Sequence, residues 1–200
     1  TDGRRLSGTV SGVTGDVLLS ATYSRVAAKH RLAAWVRLLA LAASHPEREF
    51  SAATVGRGSG RDDVRVSRVE PLAASADERA AAARAQLEAL IDLHDRGLRE
   101  PLPLFTATSA AYAAAAVAGQ DAVAAAEREW RTEWRFDRED REPEHQYVLG
   151  GIRTFTELME ISPRADEAGD GWAEDDPSRV GRLARRLWAG LLDREQVSAR

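Results

Sequence analysis

Apolar and polar positions alternate from the start of the chain. Leu6, Gly8 and Val10 alternate with Ser7, Thr9 and Ser11, a period of two that predicts a strand over Leu6–Ser11. Thr14-Gly15 supplies a turn, because glycine admits positive φ. A second strand is predicted over Asp16–Tyr23. It sets Val17, Leu19, Ala21 and Tyr23 on one face and Leu18, Ser20 and Thr22 on the other, and its apolar start places it inside a sheet. The period then lengthens. Leu32, Trp35, Val36 and Leu39 recur at helical spacing, predicting a helix from about Ala27 to about Ala43 that stops at His45-Pro46. Phe50–Val55 and Val64–Val69 read as third and fourth strands. The glycine-rich Gly56–Arg61 between them lacks the Lys-Ser/Thr ending of a phosphate-cradling loop and reads as a hairpin connection.

Beyond Pro71 the pattern is helical. Ser75-Ala76-Asp77-Glu78 is a capping box opening a helix through Leu87, Leu90, Ile91 and Leu98, with Gly97 as its stop and His94 packed on the same face. Pro101 and Pro103 enforce an extended linker. Ser109 is placed to cap an alanine-rich helix reaching Gly119, and another helix is predicted over Asp121–Trp134. Residues 135–146 are dense in charge, but their arginines alternate with carboxylates. That favours a solvated or ion-paired segment over a metal site, and His145 does not alter it. Thr154–Met159 reads as a short helix. The acidic loop Asp166–Asp176 does not match EF-hand spacing. Val180, Leu183, Ala184, Leu187, Trp188 and Leu191 mark a last amphipathic helix. The expected class is α+β (α/β): a mixed sheet flanked by helices, with a helical C-terminal portion. One domain is expected over residues 1–200, its core at about 1–119 and its extension at about 120–200.

Composition narrows the chemistry. The 200 residues contain no cysteine, which excludes disulfides, thiolate metal sites and a cysteine nucleophile and fits a reducing, cytoplasmic setting. No apolar run reaches the roughly 18–20 residues of a membrane span, and nothing at the N-terminus resembles a signal peptide. The chain opens at Thr1 almost directly into a strand pattern and reads as part of a longer protein. The net charge of −4 is unevenly spread: residues 1–68 balance at +5 and residues 69–200 at −9. A basic first half suits nucleic acid and an acidic remainder suits solvent or protein.

Strand, turn, strand and helix in this order outline the core of a PD-(D/E)XK nuclease. Such an enzyme holds Mg²⁺ with carboxylates and sets a lysine near the attacking water. One acid sits late in the first strand; a second acid and the lysine sit two residues apart on the next, on one face. Those positions here fall on Ser11, Ser20 and Thr22, none of them a strong Mg²⁺ ligand or a cation. Asp16 lies at the turn and Asp62 and Asp63 flank another loop, so a rebuilt site is the competing reading: an active Mg²⁺-dependent nuclease with a relocated centre. Neither Ser11 nor Ser20 lies in a Gly-x-Ser-x-Gly elbow, and His30 is near the second strand only in sequence. A third reading is an unrelated α+β binding module, which strands failing to set Ser11 beside Ser20 would favour. No metal or cofactor is expected in the domain itself.

Several stretches in order carry a family resemblance. They are Asp2-Gly3-Arg4 with Leu6–Val10, Thr22-Tyr23-Ser24-Arg25, Lys29–Leu41, Arg99–Leu104, Thr108–Ala113, Glu142-Pro143-Glu144-His145 and Ala184–Trp188. The chain resembles the C-terminal part of the RecC subunits of bacterial exodeoxyribonuclease V (RecBCD), in their actinobacterial form. The resemblance implies a nuclease-like fold with its active site lost. It puts Ala33 and Arg37 where active relatives carry a helical glutamine and tyrosine. It implies RecB and RecD as partners, double- and single-stranded DNA as substrates to be split and guided, and ATP and Mg²⁺ as needs of the parent helicase–nuclease in recombinational DNA repair. Chi reading is associated with upstream domains and is assigned to no residue here. If DNA touches this chain, Arg25, Lys29, His30, Arg31, Arg57 and Arg61 are the expected contacts, giving salt-dependent binding without sequence preference.

Overall fold

A computed structural model describes residues 5–58, 63–134 and 136–199. The chain forms two compact units. Unit 1 comprises residues 1–90 together with 193–200, and unit 2 comprises residues 91–192. This division differs from a core ending near residue 119.

Unit 1 is built on a five-stranded mixed sheet in the order β1 (Val13–Thr14), β2 (Val17–Arg25), β3 (Ser51–Arg57), β4 (Val64–Val69) and β5 (Glu195–Ala199). β1 and β2 form a hairpin across Gly15-Asp16, where Gly15 takes φ 57°. β2 and β3 are parallel, which requires a crossover. The helix α1 (Ala28–Ser44) provides it, burying Ala34, Trp35, Leu38, Leu39 and Ala42. The remaining pairings are antiparallel. Leu18, Ala52 and Val69 are buried and occupy one row of one sheet face, as the register Leu18↔Ala52↔Val69 requires.

Two strands differ from expectation. Leu6–Ser11 forms no strand. Gly12 adopts φ 84°, and a Cβ there would meet the Leu19 carbonyl oxygen at 2.7 Å. The chain leaves the extended conformation at this glycine, so regular pairing with β2 starts only at Val13. One backbone bond, from Leu19 N to Gly12 O at 2.8 Å, lies outside the strands. β5 is the other difference, since its pattern Glu-Gln-Val-Ser-Ala gave no strand signal.

The helix α2 (Ala76–Arg99) starts in unit 1, where Ser75 Oγ accepts from Glu78 N and donates to its carboxylate, the capping box that the sequence predicts. Gly97 does not stop it, and His94 is exposed rather than packed. In unit 2 follow α3 (Thr106–Val117), α4 (Ala122–Trp130), a 3-10 turn (Glu139–Arg141), α5 (Pro143–Leu149), α6 (Phe155–Met159) and α7 (Arg179–Leu192). The small side chains of α3 allow both α4 and α7 to pack against it. Phe105, Tyr112, Trp130, Phe155, Leu158, Val180 and Ala184 lie in one core, with Phe105 and Trp130 ring centroids 4.4 Å apart. Ser109 is not the cap of α3; it accepts the Trp188 indole N–H at 2.9 Å. Glu139 caps α3 instead, accepting from the N–H groups of Ala107 and Thr108 at 2.7 and 2.8 Å. The charge-dense segment is therefore not wholly solvated, since Glu139 and Asp140 are buried.

Candidate functional site

The residues at issue lie on the sheet of unit 1 and on α1. Alternation along β2 puts Leu18, Ser20 and Thr22 on the core face, and pairing extends that face outward. Ser20 lies opposite Thr54, and Thr54 opposite Ser67. A row of hydroxyls thus crosses the middle of the sheet. Thr54 and Ser67 are buried, and Ser20 and Thr22 are half-buried. Among the described residues, Thr54 Oγ1 and Trp35 Nε1 are buried without a hydrogen-bond partner. Neutral hydroxyls can accept and donate single hydrogen bonds here, but they cannot balance a divalent cation.

Ser11 does not join this row, lying exposed two residues before β1. Asp16 is four residues from Ser20, roughly 13 Å along an extended strand. Its carboxylate accepts the Arg48 guanidinium at 2.8 Å. Glu195 carries a buried carboxylate on the core face. However, three strand spacings separate β5 from β2, on the order of 14 Å, so Glu195 stands apart from Ser20. It accepts Arg31 Nε at 2.7 Å, a second bond from the same guanidinium, and Ser67 Oγ at 2.5 Å. Among the described residues no group of three His, Cys, Asp or Glu side chains is placed to hold a metal ion. Asp63 lies just before β4; Asp62 falls outside the described residues.

Helix α1 presents its named residues on different sides. Ala33 and Arg37 are exposed, whereas Ala34, Trp35 and Leu38 are buried. Arg31 is turned inward to Glu195, its side chain 16% exposed. The His30 ring nitrogen Nδ1 accepts the Ala27 N–H at 3.1 Å, which ties it to the N-terminus of α1. Arg25 and Arg57 are direct partners in the β2–β3 register, both exposed. Lys29 is exposed in the first turn of α1. None of these three forms an ion pair among the described residues, so the structure brings like charges together at this end of the sheet. Arg61 lies outside the described residues. Nothing in the local pattern marked Glu195 as a partner of Arg31, 164 residues away.

Among the described residues no helix is long and apolar enough to cross a membrane. The family model of the RecC C-terminal domain matches residues 1–117. RecBCD enzyme subunit RecC of Mycobacterium tuberculosis (strain ATCC 25618 / H37Rv) is 40% identical over 198 residues, covering 97% of this chain and 16% of that protein. The subunit of the same name from Mycolicibacterium smegmatis (strain ATCC 700084 / mc(2)155) is 37% identical over 203 residues, covering 97% of this chain and 17% of that protein. The chain thus spans about one sixth of the length of these curated relatives. The match over more than half of the chain, and the two relatives together, establish that the chain belongs to the RecC C-terminal domain family.

Proposed function

We propose that this chain acts as a non-catalytic, nuclease-like part of a RecC subunit, supporting the assembly of a RecBCD helicase–nuclease and guiding DNA strands in double-strand break repair. The observation that supports this reading is that Ser20 and Thr22, two of the positions at which a PD-(D/E)XK core is expected to carry an acid and a lysine, share the core face with a hydroxyl row that continues from Ser20 through Thr54 and Ser67. The nearest carboxylates support it as well, because Asp16 is engaged by Arg48 and Glu195 by Arg31. RecB and RecD are the proposed partners. ATP and Mg²⁺ serve the motors and the nuclease of the parent complex, and the setting is the cytoplasm.

The DNA contacts we assign are Arg25, Lys29 and Arg57. Arg25 and Arg57 repel each other across the β2–β3 pair, and a separate DNA phosphate at each relieves that repulsion. Binding to a forked duplex should weaken with salt, with a log–log slope of about −2 to −3 for roughly three phosphates. Arg25→Ala/Arg57→Ala should remove about two units of that slope. Absence of binding at low salt would refute the DNA half of the proposal and leave subunit assembly. Incubation with linear and single-stranded DNA plus Mg²⁺ or Mn²⁺ should give no cleavage. Cleavage that disappears in Asp16→Asn or Asp62→Asn would overturn the non-catalytic reading in favour of a relocated nuclease centre.

A further inference from the structure

Two large aromatic side chains of unit 2 stay outside its core: Trp134 is 88% exposed and Phe136 79%. Exposed rings gathered in one short segment, unlike scattered single residues, mark an interaction site. Both stand on a turn closed by a bridge between Glu133 and Phe136. The turn is pinned from behind. The Thr132 N–H donates to the buried Asp140 carboxylate at 3.1 Å, the Thr132 hydroxyl donates to the same oxygen, and Arg138 N donates to Thr132 Oγ1 at 2.8 Å. The backbone that carries the rings is therefore fixed. One side of α4, with Ala124, Glu127, Arg128 and Arg131 at helical spacing, lines a cleft of about 620 Å³ together with this turn and Arg138. Arg131 pairs with both glutamates of the cleft, Glu127 at 3.3 Å and Glu133 at 3.4 Å, and Arg138 pairs with Glu129 at 2.8 Å. Arg128 is exposed and forms no ion pair among the described residues.

We propose that this cleft is a site for single-stranded DNA, in which an unpaired base stacks on Trp134 and Phe136 and the adjoining phosphate is taken by Arg128. Aromatic rings beside guanidinium groups are the chemistry that holds a single strand without sequence preference. A duplex hides the faces of its bases, so only an unpaired base can stack here. The volume lies within the roughly 300–1,000 Å³ of small-ligand sites, room for a base with its sugar and phosphate. A partner helix would need an aliphatic floor, and Ala124 is the one aliphatic side chain lining the cleft among the described residues. Arg131 offsets Glu127 and Glu133, which leaves Arg128 as the cation in need of an anion. The proposal rests on the reading that DNA reaches this chain, but it uses none of Arg25, Lys29 and Arg57.

Photocrosslinking tests it in a full-length subunit that carries this sequence, with a short oligothymidylate containing 5-iodouracil and mass spectrometry to locate the adducts. Adducts should form on Trp134 or Phe136 at low salt, and a blunt duplex containing the same base should give about tenfold fewer. Arg128→Ala leaves both rings in place. It should raise the oligonucleotide concentration for half-maximal crosslinking about threefold or more and lower the log–log salt slope by about 0.7, one phosphate contact on a single strand. No adduct on either ring at low salt overturns the proposal, as does equal yield with the duplex. Radical footprinting of the assembled complex supplies the remaining outcome. Protection of Trp134 and Phe136 by partner subunits before any DNA is added overturns the proposal and makes the cleft a protein contact. Fork binding that persists without these adducts refutes this site alone, whereas loss of both refutes the DNA reading of the chain as well. The adducts are read in the unsubstituted protein, so an unstable variant does not obscure the result.

Discussion

Glu195 should be the most sensitive position of the unit 1 sheet. Its carboxylate is 2% exposed and serves two bonds from Arg31 and one from Ser67. Glu195→Ala removes all three at once. The Arg31 guanidinium, only 16% exposed, loses this counter-charge, and the buried Ser67 hydroxyl loses its acceptor. Removing one partner of a buried pair costs about 3–5 kcal/mol. Water reaching the partly exposed guanidinium puts the loss near the lower end, about 3 kcal/mol. For a chain of this size that lowers the melting temperature by about 6–12 °C. Detachment of β5 from β4 should accompany it, visible as faster amide exchange at Val66 and Arg68. The double substitution Arg31→Met/Glu195→Met removes both charges together and should recover most of the loss. Thermal melts of the two single variants and the double variant form a cycle with a coupling energy of about 2 kcal/mol or more. A Glu195→Ala loss below about 1 kcal/mol, the range of surface pairs, would refute the assignment of this pair as the clasp of β5.

Gly181 should tolerate no side chain, because a Cβ there would lie 2.1–2.3 Å from the Asp176 carboxylate. Gly181→Ala therefore displaces a carboxylate held by Tyr112 and Ser178 and should lower stability by about 2–3 kcal/mol in urea titrations; an unchanged midpoint would count against the packing. Burial, and then the hydrogen bond donated to Asp176, push the Tyr112 phenol up to about 12. Its folded pKa exceeds its ordinary value near 10, so its contribution is complete below about pH 10 and is lost as pH rises towards 12. Tyr112→Phe should abolish that part of the alkaline dependence, and absorbance at 295 nm should lose its latest-titrating tyrosinate. Glu139→Ala should strip two backbone bonds from the start of α3 at a cost of about 1–2 kcal/mol, measured by thermal melt; Glu139→Gln should retain part of it.

What the sequence made legible follows the range of the forces involved. α1 and α7 were readable because Leu32, Trp35 and Leu39, and Val180, Leu183 and Leu187, repeat at helical spacing. β4 was readable because Val64, Val66 and Pro71 bound a short alternating run. The alternation in Leu6–Ser11 misled, because its small residues bury little and Gly12 turns the chain before pairing can extend. β5 is a short edge strand whose only aliphatic beyond alanine is Val197, so it owes its place to pairing with β4 rather than to propensity. The cap of α3 was hidden for a similar reason: Glu139 lies 31–32 residues from the groups it binds. In the candidate site, the polar identity of Ser20 and Thr22 was plain. Their continuation through Thr54 and Ser67, and the withdrawal of Arg31 to Glu195, depend on sheet register and on a strand from the far end of the chain.

Introducing an acid and a lysine into β2 should not create a metal site. Ser20→Asp/Thr22→Lys would put a carboxylate and an ammonium on the same face, about 6–7 Å apart along the strand. A Mg²⁺ ion needs several oxygen ligands and usually at least one further carboxylate in such a site. The candidates do not converge: Ser11 lies outside the strands, Asp16 is held by Arg48, and Glu195 stands three strands away in its clasp with Arg31. The new lysine would also be the nearer cation for the new aspartate. The variant should therefore show no Mg²⁺-dependent stabilisation. A site with a dissociation constant near 1 mM would contribute about 1.4 kcal/mol at about 10 mM Mg²⁺, or about 3–5 °C in a melt of a chain this size. A shift of that size, absent from the parent chain, would show that these two residues alone separate this fold from a metal-binding one. No shift would show that two substitutions on β2 do not suffice for a metal site while the Ser11 segment and the hydroxyl row stay as they are.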